Sequence, residues 1–336
     1  MQREELGEAV PDLPKTPYDP WRGELYSVDE LMEGWSPGQT HAPTLDARIF
    51  EHAKSTKTAG EALAQRIHDY SIDQALGELI GNRKDRLVGI MGGSSSSLGD
   101  PKTAEDYRQA ARLGKLLAEA DYLVVSGGGL GIMEAANLGA SLANRPNAEL
   151  EQALEELGEV AYKGHEARYL EIASAIRRRS EPVHESIGVP TWVYKDEPVS
   201  QFATHVAKYF ANSIREDGLL GMCLAGVVYC PGKSGTTQEI FQDAAQNAYR
   251  SFEFRSPMVM LGSTFFAETG LYAVLCDQSV RNAKADDPYR DLITLVDDPA
   301  AAVAFIDAHR PAVPPAAQAA SGAQLVQTLR SALRYR

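Results

Sequence analysis

The sequence predicts an α/β protein, a Rossmann-like parallel sheet flanked by helices and preceded by an N-terminal helical extension. Three observations predict it. From Leu87 to Ala308, short apolar runs rich in β-branched residues alternate with amphipathic stretches, the pattern of a parallel sheet covered on both faces. Three of those runs end in glycine or serine turns, and ligands of such sheets bind at the carboxyl ends of the strands. The 336 residues, 44% of them hydrophobic, are enough for one large or two modest domains.

Taken in order, residues 1 to about 45 carry Pro11, Pro14, Pro17, Pro20, Pro37 and Pro43, which suits an extended arm. Trp21, Tyr26 and Trp35 are its docking points. From Leu45 to Ile80, Ile49, Leu63, Ile67, Ile72, Ala75 and Leu79 fall at the spacing of two amphipathic helices. Residues 1–85 are therefore expected to form an arm and helical extension, and residues 86–310 a Rossmann-like α/β domain. Strands are expected at Leu87 to Met91, Tyr122 to Ser126, Pro190 to Tyr194, Gly226 to Cys230, Met258 to Gly262 and Leu292 to Val296. Helices are expected at Thr103 to Ala120, Gly131 to Leu142, Ser200 to Ile214, after Pro231, at Thr269 to Asn282 and at Pro299 to Ala308. A helical insertion at about 144–185 carries Glu149, Glu151, Glu155, Glu156 and Glu159, then Arg177, Arg178 and Arg179. The arginine run reads as a solvated helix face, or as a subunit contact or anion site. Residues 311–336 are a tail with a short helical pattern from Ala323 to Leu333.

The formal charge of −13 argues against a general nucleic-acid binder, whose affinity would come from neutralising phosphates. Cys223, Cys230 and Cys276 lack CxxC spacing and read as buried thiols of a reducing compartment, with no disulfide or zinc framework. No apolar run reaches about 18 residues and a polar, acidic stretch follows Met1, so neither a membrane span nor a secretory signal is expected. The expected location is cytoplasmic.

The densest local signal runs from Ala225 to Asn247. A buried strand stops at Pro231 and Gly232, and a helix capped by Thr236 or Thr237 presents Ile240, Phe241, Ala244 and Ala245 on one face. A strand entering a helix through glycine leaves free N–H groups aimed at one point, where the helix dipole favours an anion. A P-loop does not fit, because five residues separate Gly226 from Gly232 where that motif has four. Gly127 and Gly129 begin a GxGxxG pattern, but its third glycine falls one residue early, at Gly131. The nearest acids downstream, Glu149 and Glu151, lie in the insertion, which leaves NAD a weak alternative. Three such turns on one sheet edge imply a phosphorylated ligand.

GSSSS at Gly93 to Ser97, GGGLGIMEAANLGA at Gly127 to Ala140 and PGKSGTTQE at Pro231 to Glu239 together resemble the LONELY GUY (LOG) family of nucleoside 5′-monophosphate phosphoribohydrolases, proteins often labelled lysine decarboxylases. The resemblance spans Leu87 to Asp307, with the insertion as an interruption. It implies a Rossmann-like fold, metal-independent hydrolysis of the N-glycosidic bond to free base and ribose 5-phosphate, no cofactor, and a dimer or higher homo-oligomer. It also implies a catalytic Glu239, the last residue of the family's PGGxGTxxE, and a catalytic Arg215. Arg215 is the best match to an MHxRK segment, 16 residues before Pro231, with Ser213 and Glu216 in place of the His and Lys. Contacts to an AMP-like nucleotide are expected from Gly93, Ser94, Ser95, Gly128, Gly129, Met133, Gly232, Lys233, Ser234, Gly235 and Thr236, Lys233 standing where the family has its second glycine. Glu239 would stabilise positive charge on the sugar or orient water. The departures at Lys233, Ser213 and Glu216 keep open a non-catalytic nucleotide-binding or molybdopterin-cofactor carrier of the same fold. The plain alternatives are a first-turn glutamate complementing the dipole and an exposed helix-end arginine. Trp21, Trp35 and the apolar residues from Leu150 to Ile176 give a second reason to expect an oligomer, as more apolar surface than a monomer needs.

Overall fold

The computed structural model describes residues 13–81, 83–194, 198–251, 254–282 and 289–312. The N-terminal extension forms α1 (Val28–Leu31), α2 (Leu45–Ser55) and α3 (Ala59–Ile80). The α/β unit follows with β1 (Leu87–Met91), α4 (Ala104–Glu119), β2 (Leu123–Ser126), α5 (Ile132–Ser141), α6 (Asn147–Gly158), α7 (Glu166–Arg179), β3 (Ser186–Gly188) and β4 (His205–Val206). It continues through α8 (Asn212–Met222), β5 (Gly226–Tyr229), α9 (Ser234–Tyr249), β6 (Met258–Leu261), α10 (Ser263–Glu268), α11 (Leu271–Asn282), β7 (Ile293–Val296) and α12 (Pro299–His309). Its seven strands lie in the order β4-β3-β2-β1-β5-β6-β7, all pairs parallel.

Successive strand residues face opposite sides of a sheet, and here that alternation divides the core in two. Leu87, Met91, Leu123, Val125, Val227 and Tyr229 pack on one side with the N-terminal extension, α8 and α9. Val88, Ile90, Val124, Val228 and Cys230 pack on the other with α4 to α7 and α12. The order of strands reverses direction between β1 and β5, the switch point at which such sheets open a crevice. At one edge the arm seals the sheet: Tyr26 N–H donates to Val206 O at 3.0 Å and Val206 N–H to Tyr26 O at 2.9 Å, pairing a strand that would otherwise be open.

The structure differs from the sequence expectation in several places. The third strand is Ser186–Gly188, upstream of the expected Pro190 to Tyr194, because Pro190 cannot donate to a ladder. The helix expected from Ser200 to Ile214 is a turn followed by β4, and α8 begins only at Asn212. Thr204 holds that segment extended: its hydroxyl accepts from Ser186 N–H at 2.9 Å and donates to Ser186 O at 2.8 Å, a side-chain competitor to helix formation. Helix α9 begins at Ser234, ahead of the expected Thr236 or Thr237 cap, and no side chain caps it. The arm contains the short helix α1, capped by the Ser27 hydroxyl. The pattern from Ala323 to Leu333 lies outside the described residues. In the insertion, Leu150, Leu154 and Leu157 of α6 and Leu170, Ala173 and Ile176 of α7 are buried, so that apolar stripe is covered within the chain and gives no argument for a second copy. Cys223 and Cys230 are buried free thiols. Among the described residues, no helix is long and apolar enough to cross a membrane.

Candidate active site

The three glycine turns converge on Gly93. Its N–H donates to Pro231 O at 3.0 Å, and its carbonyl accepts from Ile132 N–H at 3.2 Å. The turns after β1, β2 and β5 are thus joined through one residue. Gly131 shows why this needs glycine: its φ is +73° and a Cβ there would overlap the Gly93 carbonyl oxygen, so both the left-handed conformation and the close approach exclude a side chain.

Beside this junction lies a cavity of about 240 Å³ at the carboxyl ends of the strands. Gly93, Ser94 and Ser95 line it from the β1 turn, Gly129 and Met133 from the β2 turn, and Lys233, Gly235 and Thr236 from the start of α9. Arg215 and Glu239 lie on its wall. Gly128, Gly232 and Ser234 do not line it. A Cβ on Gly128, at φ +71°, would run into Pro190 and Val189 N; Gly232 is pressed against the Thr236 side chain; Ser234 is exposed on the first turn of α9. Gly128 and Gly232 thus shape their turns by close packing. The first N–H groups of α9 have no partner within the helix, whereas the first N–H of α5 is already given to Gly93 O. The α9 terminus, with the exposed Lys233 beside it, thus offers free donors where an anion could sit.

Arg215 and Glu239 reach the cavity from α8 and α9, which lie side by side. Gln238 Nε2 donates to Glu216 at 2.9 Å and Gln242 Nε2 donates to Asp217, fixing the register of the two helices. Arg215 Nη1 stands 3.9 Å from Glu239 Oε1, and the two side chains are 11% and 13% exposed. A cation in the first turn of a helix opposes the dipole, so Arg215 is not an exposed helix-end arginine complementing a C-terminus. Its Nε is buried without a hydrogen-bond partner, and the residue itself lines the cavity. Burial pushes the Glu239 carboxyl up to about 7, against the lowering effect of Arg215 and with a further raising contribution from Glu216. The glutamate standing where the LOG pattern has lysine thus helps bring Glu239 to titrate near neutrality, the range in which a carboxyl serves as acid or base. Ser213 is exposed.

Several lining residues carried no sequence signal. Pro190, Thr191, Tyr194 and Pro198 close the far side, and Lys208 enters from the segment after β4. Asp46 Oδ1 and Oδ2, on α2, accept from Lys208 Nζ at 2.7 and 2.9 Å, and Asp69, on α3, accepts from Phe210 and Ala211 N–H at 2.9 Å each. The N-terminal extension therefore holds the chain that leads into α8 and Arg215. Among the described residues, no cluster of three or more His, Cys, Asp or Glu side chains is placed to hold a metal ion.

Residues 85–145, from β1 through α5, match the model of the SLOG cluster4 family; the match ends before Arg215 and Glu239. No curated protein matches the chain significantly. Similar solved structures include the molybdenum cofactor binding protein of the phototrophic bacterium Rippkaea orientalis, at 15% identity and a TM-score of 0.40, covering 66% of this chain and 95% of that one. Another is the molybdenum cofactor carrier protein of Chlamydomonas reinhardtii, at 16% identity and a TM-score of 0.38, covering 66% of this chain and 98% of that one.

Proposed function

We propose that the protein hydrolyses the N-glycosidic bond of a nucleoside 5′-monophosphate, releasing the base and ribose 5-phosphate, as the resemblance to the LOG family implies. The observation that carries this reading is the placement of Arg215 and Glu239 in one cavity with a helix N-terminus. The phosphate lies at the start of α9, against Lys233, Thr236 and the serines of the β1 turn. In the reaction the C1′–N bond breaks with its electron pair leaving on the base, and positive charge grows on the ribose ring. The ionised Glu239 stabilises that charge, takes a proton from the water whose oxygen bonds to C1′, and passes that proton to the departing base, which restores the carboxylate. The Arg215 guanidinium, which lines the cavity, stabilises the negative charge leaving on the base. Anchoring the phosphate holds the ring against Glu239, so binding energy remote from the bond lowers the barrier.

The test is incubation of the purified protein with AMP, GMP, CMP and UMP, followed by chromatography for free base and ribose 5-phosphate. Equimolar appearance of the two from at least one nucleotide is expected. Nucleotide binding with no release of base would refute hydrolysis and return a carrier or sensor.

A further inference from the structure

The phosphate position lies where β1 and β5 end, whereas Tyr194 and Lys208 line the same cavity beyond β3 and β4. Strands are spaced at about 4.8 Å, so β3 stands about 10 Å from β1, a length that a nucleoside monophosphate spans from phosphate to base. The base therefore falls at the Tyr194 and Lys208 end, where the partly exposed Tyr194 ring offers a face for stacking.

Lys208 is buried and its ammonium is tied to Asp46 by two hydrogen bonds. Asp46 also accepts from Trp192 Nε1 at 2.8 Å, and the Lys208 Nζ lies 5.3 Å from the Trp192 ring centroid. A pair of this kind is a poor choice if its only task is to clip the extension to the sheet, because apolar side chains of the same volume hold as well without desolvating two charges. An ammonium has three N–H donors, and Asp46 takes two.

We propose that Lys208 recognises the base, its third N–H donating to an acceptor atom such as a ring carbonyl oxygen, and that Asp46 of the N-terminal extension is the positioning residue that aims it. This rests on the nucleotide reading above. It gives the extension a part in the site, and it requires a base that turns an acceptor atom towards the ammonium, such as the O6 and N7 edge of guanine, because a lysine donates only.

The experiment titrates GMP and ribose 5-phosphate into the full-length wild type, into the double variant Asp46→Asn with Lys208→Met, and into Asp46→Asn alone. The double variant removes both charges together, and the introduced asparagine keeps an oxygen for Trp192. For the double variant, GMP binding weakens about tenfold or more, the loss of a charged hydrogen bond, while ribose 5-phosphate binds within about twofold of wild type. Asp46→Asn alone leaves the ammonium without the carboxylate that aims it, so GMP binding weakens several-fold while ribose 5-phosphate binding stays within about twofold of wild type. Equal GMP affinity in wild type and double variant overturns base recognition, as does an equal loss for GMP and ribose 5-phosphate, which would be a fold or phosphate effect. Should the double variant not fold, an Asp46→Asn variant with unchanged GMP affinity, or with equal losses for GMP and ribose 5-phosphate, overturns it alone. Binding that follows these expectations without release of base refutes the hydrolysis reading and leaves this one standing, and a wild type that binds neither ligand overturns both.

Discussion

Replacing Glu239 with glutamine is expected to stabilise the protein at alkaline pH while abolishing catalysis, and the size of the stabilisation follows from the environment of the carboxyl. Burial raises Glu239 from the ordinary 4.5 to about 7 in the folded chain. Between those values the folded state keeps a proton that the unfolded state has released, so its contribution to stability is present below about 4.5 and is lost as pH rises through about 7. A difference of about 2.5 in pKa corresponds to about 3 kcal/mol. Glutamine has no charge to bury and does not carry this cost. The stability of Glu239→Gln minus that of wild type should therefore grow by about 3 kcal/mol between pH 4.5 and pH 8. Glu134 and Asp243 are also raised to about 7 by burial, but they are present in both proteins and cancel in the difference. The assay is urea unfolding of both proteins at the two pH values, with coincident probes checking that the transition is two-state. A difference that stays constant to within about 0.5 kcal/mol would refute the burial of a titrating carboxyl at this position.

Base release by the wild type should rise with pH through about 7, as the ionised form of Glu239 becomes available, and Glu216→Gln should move that limb to lower pH by removing the neighbouring negative charge; a limb unmoved in the variant would contradict the coupling. Arg215→Met should lower kcat about a hundredfold or more, measured by release of base, with near-wild-type rates counting against its role. Lys233→Gly should weaken AMP binding several-fold, roughly the loss of one charge-assisted contact, and flatten its salt dependence; equal titrations would make the lysine a solvated bystander. Gly131→Ala should destabilise by about 2 kcal/mol or more and weaken phosphate binding, since the added Cβ pushes Gly93 out of the junction, and an unchanged melting temperature would refute the close packing described for it.

Where local pattern and tertiary packing agree, the fold is legible from the sequence. Leu87–Met91 and Gly226–Tyr229 read as strands because both their faces are buried, and the three glycine turns read as a shared cradle because their spacing fixes strand, turn and helix together. The region from Ser186 to Ala211 resists such a reading for a physical reason. Its strands are only three and two residues long, and what holds them extended is the Thr204 bond to Ser186, a contact with no periodicity to announce it. The site divides in the same way. Glu239 and the serine turn belong to motifs, whereas Lys208 owes its place to Asp46, 162 residues earlier in the chain, and no local spacing links the two. The effect of Glu216 on Glu239 is equally hidden, because it depends on α8 and α9 lying side by side.

Measuring binding and release on the same samples separates cleavage of the glycosidic bond by Glu239 from mere occupancy of the cavity. Wild type and Glu239→Gln are titrated with each nucleoside monophosphate, then followed at pH 8 for free base and ribose 5-phosphate. Both proteins should bind the accepted nucleotide with affinities within about threefold, and the glutamine variant should release base at least about a hundredfold more slowly. Tight binding by both with release by neither, or release by Glu239→Gln at the wild-type rate, would contradict cleavage driven by Glu239.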